Sequence, residues 1–84
     1  MSTAEVEARL LDVLASILNV PRQAIGHDAS RATLDAWDSL KHMHVILALE
    51  DDFKVEFSDK EISELTSASD LIRAIVAKTG AGVQ

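Results

Sequence analysis

Asp38 and Ser39 stand at the mouth of the most apolar segment of this 84-residue chain, and two histidines, His42 and His44, follow closely. A serine beside histidines first suggests nucleophilic catalysis. That chemistry needs a base within hydrogen-bond reach of the hydroxyl and a third group that orients the base. His42 could lean back over a first helical turn. However, G-x-S-x-G is missing, and nothing before Ser39 reads as a strand-to-helix elbow. Metal binding is no better supported. His42 and His44 are two apart, so on a helix they point to different faces. His27 lies in a separate loop, and H-E-x-x-H is missing. The acidic run ALEDDFKVEF lacks the D-x-[DN]-x-[DN]-G of a calcium loop. Two surface histidines are the simpler reading. What remains is Ser39. The first N–H groups of a helix are unpaired and carry the positive end of its dipole, so a phosphate on a serine there is stabilised by its location. Asp38 beside it could help hold a divalent cation during transfer of such a phosphate. On spacing alone, an Asp-Ser pair that merely caps a helix is the simpler explanation.

The elements that must position this pair are helical. Ser2 with Glu5 forms a capping box, and Val6, Leu10, Val13, Leu14 and Ile17 follow helical spacing. The first helix is expected from about Ala4 to Leu18, ended by Asn19-Val20-Pro21. Residues 21–38 have no sustained period. Ile25, Leu34 and Trp37 are isolated apolar points there, which suggests a long functional loop pinned to the core. A second helix starts at Asp38 or Ser39, with Asp38 as N-cap. Its Leu40, Met43, Ile46, Leu47 and Phe53 are expected to face inward. Val45, Ala48 and Leu49 add more apolar surface than one stripe needs, leaving some exposed for a partner. Ser58 with Glu61 opens a short helix, and Ser67 with Asp70 opens one whose Leu71, Ile72, Ile75 and Val76 face the core until Gly80 stops it. Residues 55–57 (VEF) could form a short strand, though no pairing partner is evident. The expected fold is an all-α four-helix bundle of three longer helices and one short helix, with a long loop between the first two. Residues 1–84 read as one domain, ordered over about 3–79 and frayed over 80–84.

Composition narrows the function classes. The chain is 48% apolar and carries no cysteine, so helix packing rather than disulfides must hold it. Net charge is −6, which disfavours nucleic acid and anionic membranes as partners. Residues 50–64 hold seven acids and two lysines. They read either as an ordinary solvated face or as a surface for a basic partner. The N-terminus lacks the pattern of a secretory signal and no stretch is long enough to span a bilayer, so the cytoplasm is the expected location.

The stretch LDAWDSLKHMHVILALEDDFKVEFSDKEISELTSASDLIRAIV resembles the acyl carrier protein family. The likeness covers nearly the whole chain. It takes in the opening helix, Asp28-Ala-Ser30, D-S-L at residues 38–40, the L-E-x-x-F ending of the second helix, the F-S before the third and T-x-x-x-D-L before the fourth. A lone D-S-L means little, but the tripeptide in register with four helices is specific. The resemblance implies that Ser39 is the attachment site of a covalent 4'-phosphopantetheine arm and Asp38 the neighbour used by the phosphopantetheinyl transferase. It places partner contacts at Leu40, Lys41, His44 and Leu47. It also implies a monomer that is not an enzyme. Such a protein holds acyl intermediates as thioesters on the arm and presents them to acyl-activating, acyltransferase or synthase enzymes of fatty-acid, polyketide or other specialised biosynthesis. Tethering raises the effective substrate concentration at each of them. Met43, Ile46, Phe53, Ile62, Leu71 and Ile75 could line an acyl cleft, although core packing is the better reading.

Two departures matter. Ala36-Trp37 stand where carriers of primary fatty-acid synthesis usually have a glycine, and Lys41, His42 and His44 replace an acidic first half of the second helix. Lys41 in the first turn opposes the dipole, at a cost of a few tenths of a kcal/mol. A dedicated pathway and a less basic partner face are therefore expected. Alternatives are an aminoacyl or peptidyl carrier, disfavoured by the lack of a glycine-rich approach to the serine, and an unmodified helical interaction module. The acyl or aminoacyl group, the pathway, the partner enzymes and the roles of Lys41, His42 and His44 stay open at this level.

Overall fold

The computed structural model describes residues 2–80. Four α-helices follow in order: α1 (Thr3–Leu18), α2 (Ser39–Phe53), α3 (Asp59–Glu64) and α4 (Ala68–Thr79). A short 3-10 turn, Arg22–Ala24, interrupts the long connection after α1. The bundle is all-α, as expected. No strand forms among the described residues, and residues 55–57 are irregular chain between α2 and α3. Of the expected frayed tail, Gly80 is described as the cap of α4, and residues 81–84 lie outside the described residues.

Each helix starts where a side chain can satisfy its free N–H groups. Ser2 accepts from the Glu5 N–H while the Glu5 carboxylate takes the Ser2 N–H. Ser58 and Glu61 repeat the exchange, and Ser67 accepts from the Asp70 N–H. The helix ends are left-handed caps. Asn19 at φ 57 sends its N–H to the carbonyls of Ala15 and Ser16, and Gly80 closes α4 at φ 73. Lys54 also adopts φ 57. It has neither glycine's freedom nor asparagine's short side chain that hydrogen-bonds the local backbone, so this conformation costs about 1–2 kcal/mol. One stabilising contact there is the Glu50 carboxylate, which accepts the Phe57 N–H at 2.9 Å and ties down the connection.

The core gathers around α1, which packs against both α2 and α4. Val6, Leu10 and Leu14 of the expected stripe are buried and are joined by Leu11 and Leu18, while Val13 and Ile17 are half-buried. Leu71, Ile72 and Ile75 face them from α4. Helix α2 departs from expectation. Leu40, Met43 and Leu47 are not inside but 66%, 42% and 57% exposed, and the buried row is His42, Val45, Ile46, Leu49 and Phe53. The segment is apolar nearly all round, so its period cannot choose a face, and packing against α1 does. Ile46, Phe53, Leu71 and Ile75 are core, Ile62 is half-buried at its edge, and Met43 lies outside.

The long connection is held down at several points. Ile25 and Trp37 are buried in the core. Arg31 donates its N–H to the Thr66 carbonyl at 3.0 Å, and Ala68 donates to the Ala29 carbonyl at 2.9 Å, forming an antiparallel bridge between Ser30 and Ser67. The Ser69 hydroxyl donates to the His27 carbonyl at 2.8 Å. These ties fasten the loop to the start of α4. They thereby fix the approach to α2.

Candidate functional site

Asp38 has extended backbone and ends the loop; its side-chain Oδ1 accepts the Lys41 N–H at 2.9 Å, and its carbonyl accepts the His42 N–H at 2.8 Å. Asp38 thus caps α2 alone, leaving Ser39 free of that duty. Ser39 is the first helical residue and is exposed, and its Oγ accepts a hydrogen bond from Arg31 Nη2 at 2.8 Å. Other described serines are used differently. The hydroxyls of Ser2, Ser58 and Ser67 accept backbone N–H groups, and those of Ser63 and Ser69 donate to backbone carbonyls. Ser39 is instead gripped from outside, by a cation. The sequence contained no signal for Arg31, because its partner is reached across a loop without periodicity.

His42 is not the surface residue its spacing suggested. It is only 3% exposed. The Trp37 indole N–H donates to its Nδ1 at 3.0 Å, and its Nε2 donates to the Ile62 carbonyl at 2.7 Å. An indole only donates and a carbonyl only accepts, so both bonds require a neutral ring with its proton on Nε2. Both ring nitrogens are spoken for, so neither serves as a base for Ser39. The ring instead joins three elements: the loop through Trp37, α2 through its own backbone, and α3 through Ile62. That link matters because α3 buries none of its own residues.

Burial penalises the charged ring and holds the His42 pKa below 6.5; the Ile62 carbonyl pulls upward, and the Arg31 charge pushes down again. The sign of the consequence follows from linkage. Below about pH 6.5 the unfolded chain takes up a proton that the folded chain refuses, so stability falls as pH falls from there through the folded pKa. Above it the contribution is fully present. Urea midpoints at pH 7.5 and 5.5 are expected to separate more in the wild type than in His42→Gln, which keeps a donor and an acceptor but does not titrate. Equal separations would contradict this.

The outer face of α2 carries Leu40, Met43, His44 and Leu47, all exposed, with Lys41 half-buried beside them; the first turn holds no acid. No group of three histidine or acidic residues is placed to hold a metal among the described residues. His27 instead meets Glu7 at 2.6 Å.

The described residues thus form a small helical bundle with an exposed serine at the start of α2, met by a guanidinium and set beside an exposed apolar helix face. The family model described as "Phosphopantetheine attachment site" matches residues 8–75, most of the chain, and the chain belongs to that family. It is a phosphopantetheine-bearing carrier protein, and its prosthetic group is a covalently attached 4'-phosphopantetheine. The residues present fit such a group. An exposed hydroxyl is available for a phosphodiester, a guanidinium already touches it, and the helix start favours an anion. No described helix is long and apolar enough to cross a membrane.

Proposed function

We propose that Ser39 carries the arm and that this chain, acting as one monomeric carrier domain in the cytoplasm and without catalysis of its own, shuttles acyl groups between the enzymes of a dedicated biosynthetic route of the fatty-acid, polyketide or other specialised kind. The observation that carries the reading is the division of labour at residues 38 and 39: Asp38 caps the helix, and the Ser39 hydroxyl is exposed, takes no part in capping and is met only by the Arg31 guanidinium. When attached, the arm supplies a terminal thiol that holds an acyl group as a thioester. Ser39 anchors it at the rigid end of α2, and Asp38 contributes a carboxylate for the transferase reaction. Intact mass tests the assignment. Incubation with coenzyme A, magnesium and a broad-specificity phosphopantetheinyl transferase is expected to add one phosphopantetheine group. A folded sample that gains nothing with several transferases would favour the unmodified interaction module.

Leu40, Lys41, His44 and Leu47 form the proposed docking face for that transferase and for the acyl-handling enzymes. Exposed leucines at 66% and 57% lie on a helix whose first turn holds Lys41 and no acid, which suits a partner surface less basic than an acidic helix start would need. Lys41→Glu is expected to change kcat/KM several-fold with cognate enzymes while leaving the fold intact. Leu47→Asp is expected to lower it about tenfold or more, the effect of removing an apolar anchor. Unchanged rates for both variants would refute this face. An aminoacyl cargo is the second reading within the family. The glycine-poor approach to Ser39 argues against it.

A further inference from the structure

We propose that Arg31 is the phosphate-binding residue of this carrier, pairing with the phosphodiester that joins the arm to Ser39; this rests on Ser39 being the attachment site. The chain has four arginines and 14 acidic residues. Arg9 pairs with Asp52 at 2.6 Å, Arg22 with Asp12 at 3.1 Å and Arg73 with Asp70 at 2.5 Å. Arg31 alone among them has no carboxylate within ion-pair distance among the described residues, although Asp35 and Asp38 are close in sequence. Its guanidinium goes instead to a neutral hydroxyl, Ser39 Oγ, at 2.8 Å. In an acidic protein that is an unusual use of a cation. Attachment of the arm from coenzyme A joins phosphorus to the very atom Arg31 touches: the Ser39 hydroxyl gives up its proton, the Oγ–P bond forms, the pyrophosphate P–O bond of coenzyme A breaks, and adenosine 3',5'-bisphosphate leaves. The neutral acceptor then becomes part of an anion, and a planar guanidinium suits phosphate oxygens well.

The surroundings require such a partner. The phosphodiester adds a negative charge directly beside the Asp38 carboxylate in a chain already at −6, and two like charges so close repel. The helix start offsets part of this, and Arg31 supplies a full charge. Its position is prepared in advance. The Arg31 N–H is bonded to the Thr66 carbonyl, its neighbour Ser30 forms the bridge to Ser67, and the residue is half-buried. Less conformational freedom is therefore lost when the anion arrives. Arg31 holds the arm's base, and so limits the directions in which the arm leaves α2. It is a positioning residue.

The test compares apo and holo forms of the full chain in wild type and Arg31→Gln, with intact mass first establishing that each is modified. On conversion, the wild-type Arg31 side-chain N–H resonances are expected to move, and the arm's 31P resonance is expected to differ between wild type and variant. The holo form should gain about 3 °C in Tm over apo, relative to the same difference in Arg31→Gln, as expected for one exposed charge pair in a domain of this size. About 0.5 M salt should erase most of that gain. Wild-type Arg31 resonances and Tm that stay put on confirmed modification would overturn the proposal, and this readout does not depend on the variant folding. Absence of any mass gain in the wild type would overturn the carrier reading, and this proposal with it.

Discussion

Ser39→Ala is expected to abolish modification completely while leaving the fold nearly untouched. Both halves follow from the geometry. Alanine lacks the only atom at this position to which a phosphate can be joined. Yet the hydroxyl contributes little to stability: Ser39 is exposed, Asp38 performs the capping, and the lost bond is one exposed contact to Arg31. Alanine is also the best helix former, and position one of α2 tolerates it. The unfolding free energy should therefore change by less than about 0.5 kcal/mol, the usual range for a surface substitution. Had Ser39 been the cap, its loss would cost about 1 kcal/mol. Chemical denaturation beside intact mass measures both. A variant that is unmodified but also unfolded would give Ser39 a structural role that contradicts its exposed, non-capping position.

Trp37→Ala is expected to be the most damaging single substitution near the site. Trp37 is 1% exposed and among the largest fully buried side chains. Its removal leaves a large cavity, which costs about 3–5 kcal/mol. It also strands His42 Nδ1 in the interior, and a buried polar atom without its partner costs about 1–3 kcal/mol. Domains of this kind are stable by only about 5–15 kcal/mol, so the variant should sit near its unfolding threshold. Trp37→Phe separates the two effects. It keeps most of the apolar bulk but removes the indole N–H. The chain's single tryptophan makes the wild-type transition visible by fluorescence, and circular dichroism serves for both variants. Since Trp37 stands two residues before Ser39, a loosened Trp37 should also slow modification. A Trp37→Ala variant as stable as wild type would refute the role given to this residue.

The helix boundaries were the most legible feature of the sequence, because a cap is a local device. Ser2 with Glu5, Ser58 with Glu61 and Ser67 with Asp70 act over three residues and need no knowledge of the rest of the chain. Asp38 followed the same logic. The rotation of α2 did not. Leu40, Met43, Val45, Ile46, Leu47 and Leu49 surround that helix with apolar groups, and only the surface offered by α1 decides which are covered. The expected exposed apolar surface is present, and it consists of Leu40, Met43 and Leu47, which the helical period places inward. The burial of His42 is illegible for a related reason. A histidine among apolar residues is burial-ready only if both nitrogens find partners, and one partner here is a carbonyl twenty residues away. The proximity of the lone Trp37 to His42 was the available hint. Arg31 was invisible in the sequence because it reaches Ser39 through loop geometry set by the bridge to Ser67.

The placement of the arm is tested most directly by mapping the modification within the chain. Trypsin cleavage after Arg31 and Lys41 releases residues 32–41, ATLDAWDSLK, whose only serine is Ser39. Digestion of the transferase-treated protein, followed by fragmentation, is expected to place one phosphopantetheine group on this peptide and on Ser39 within it. A modified protein whose added mass resides on another peptide, or on Thr33 of this one, would contradict the account.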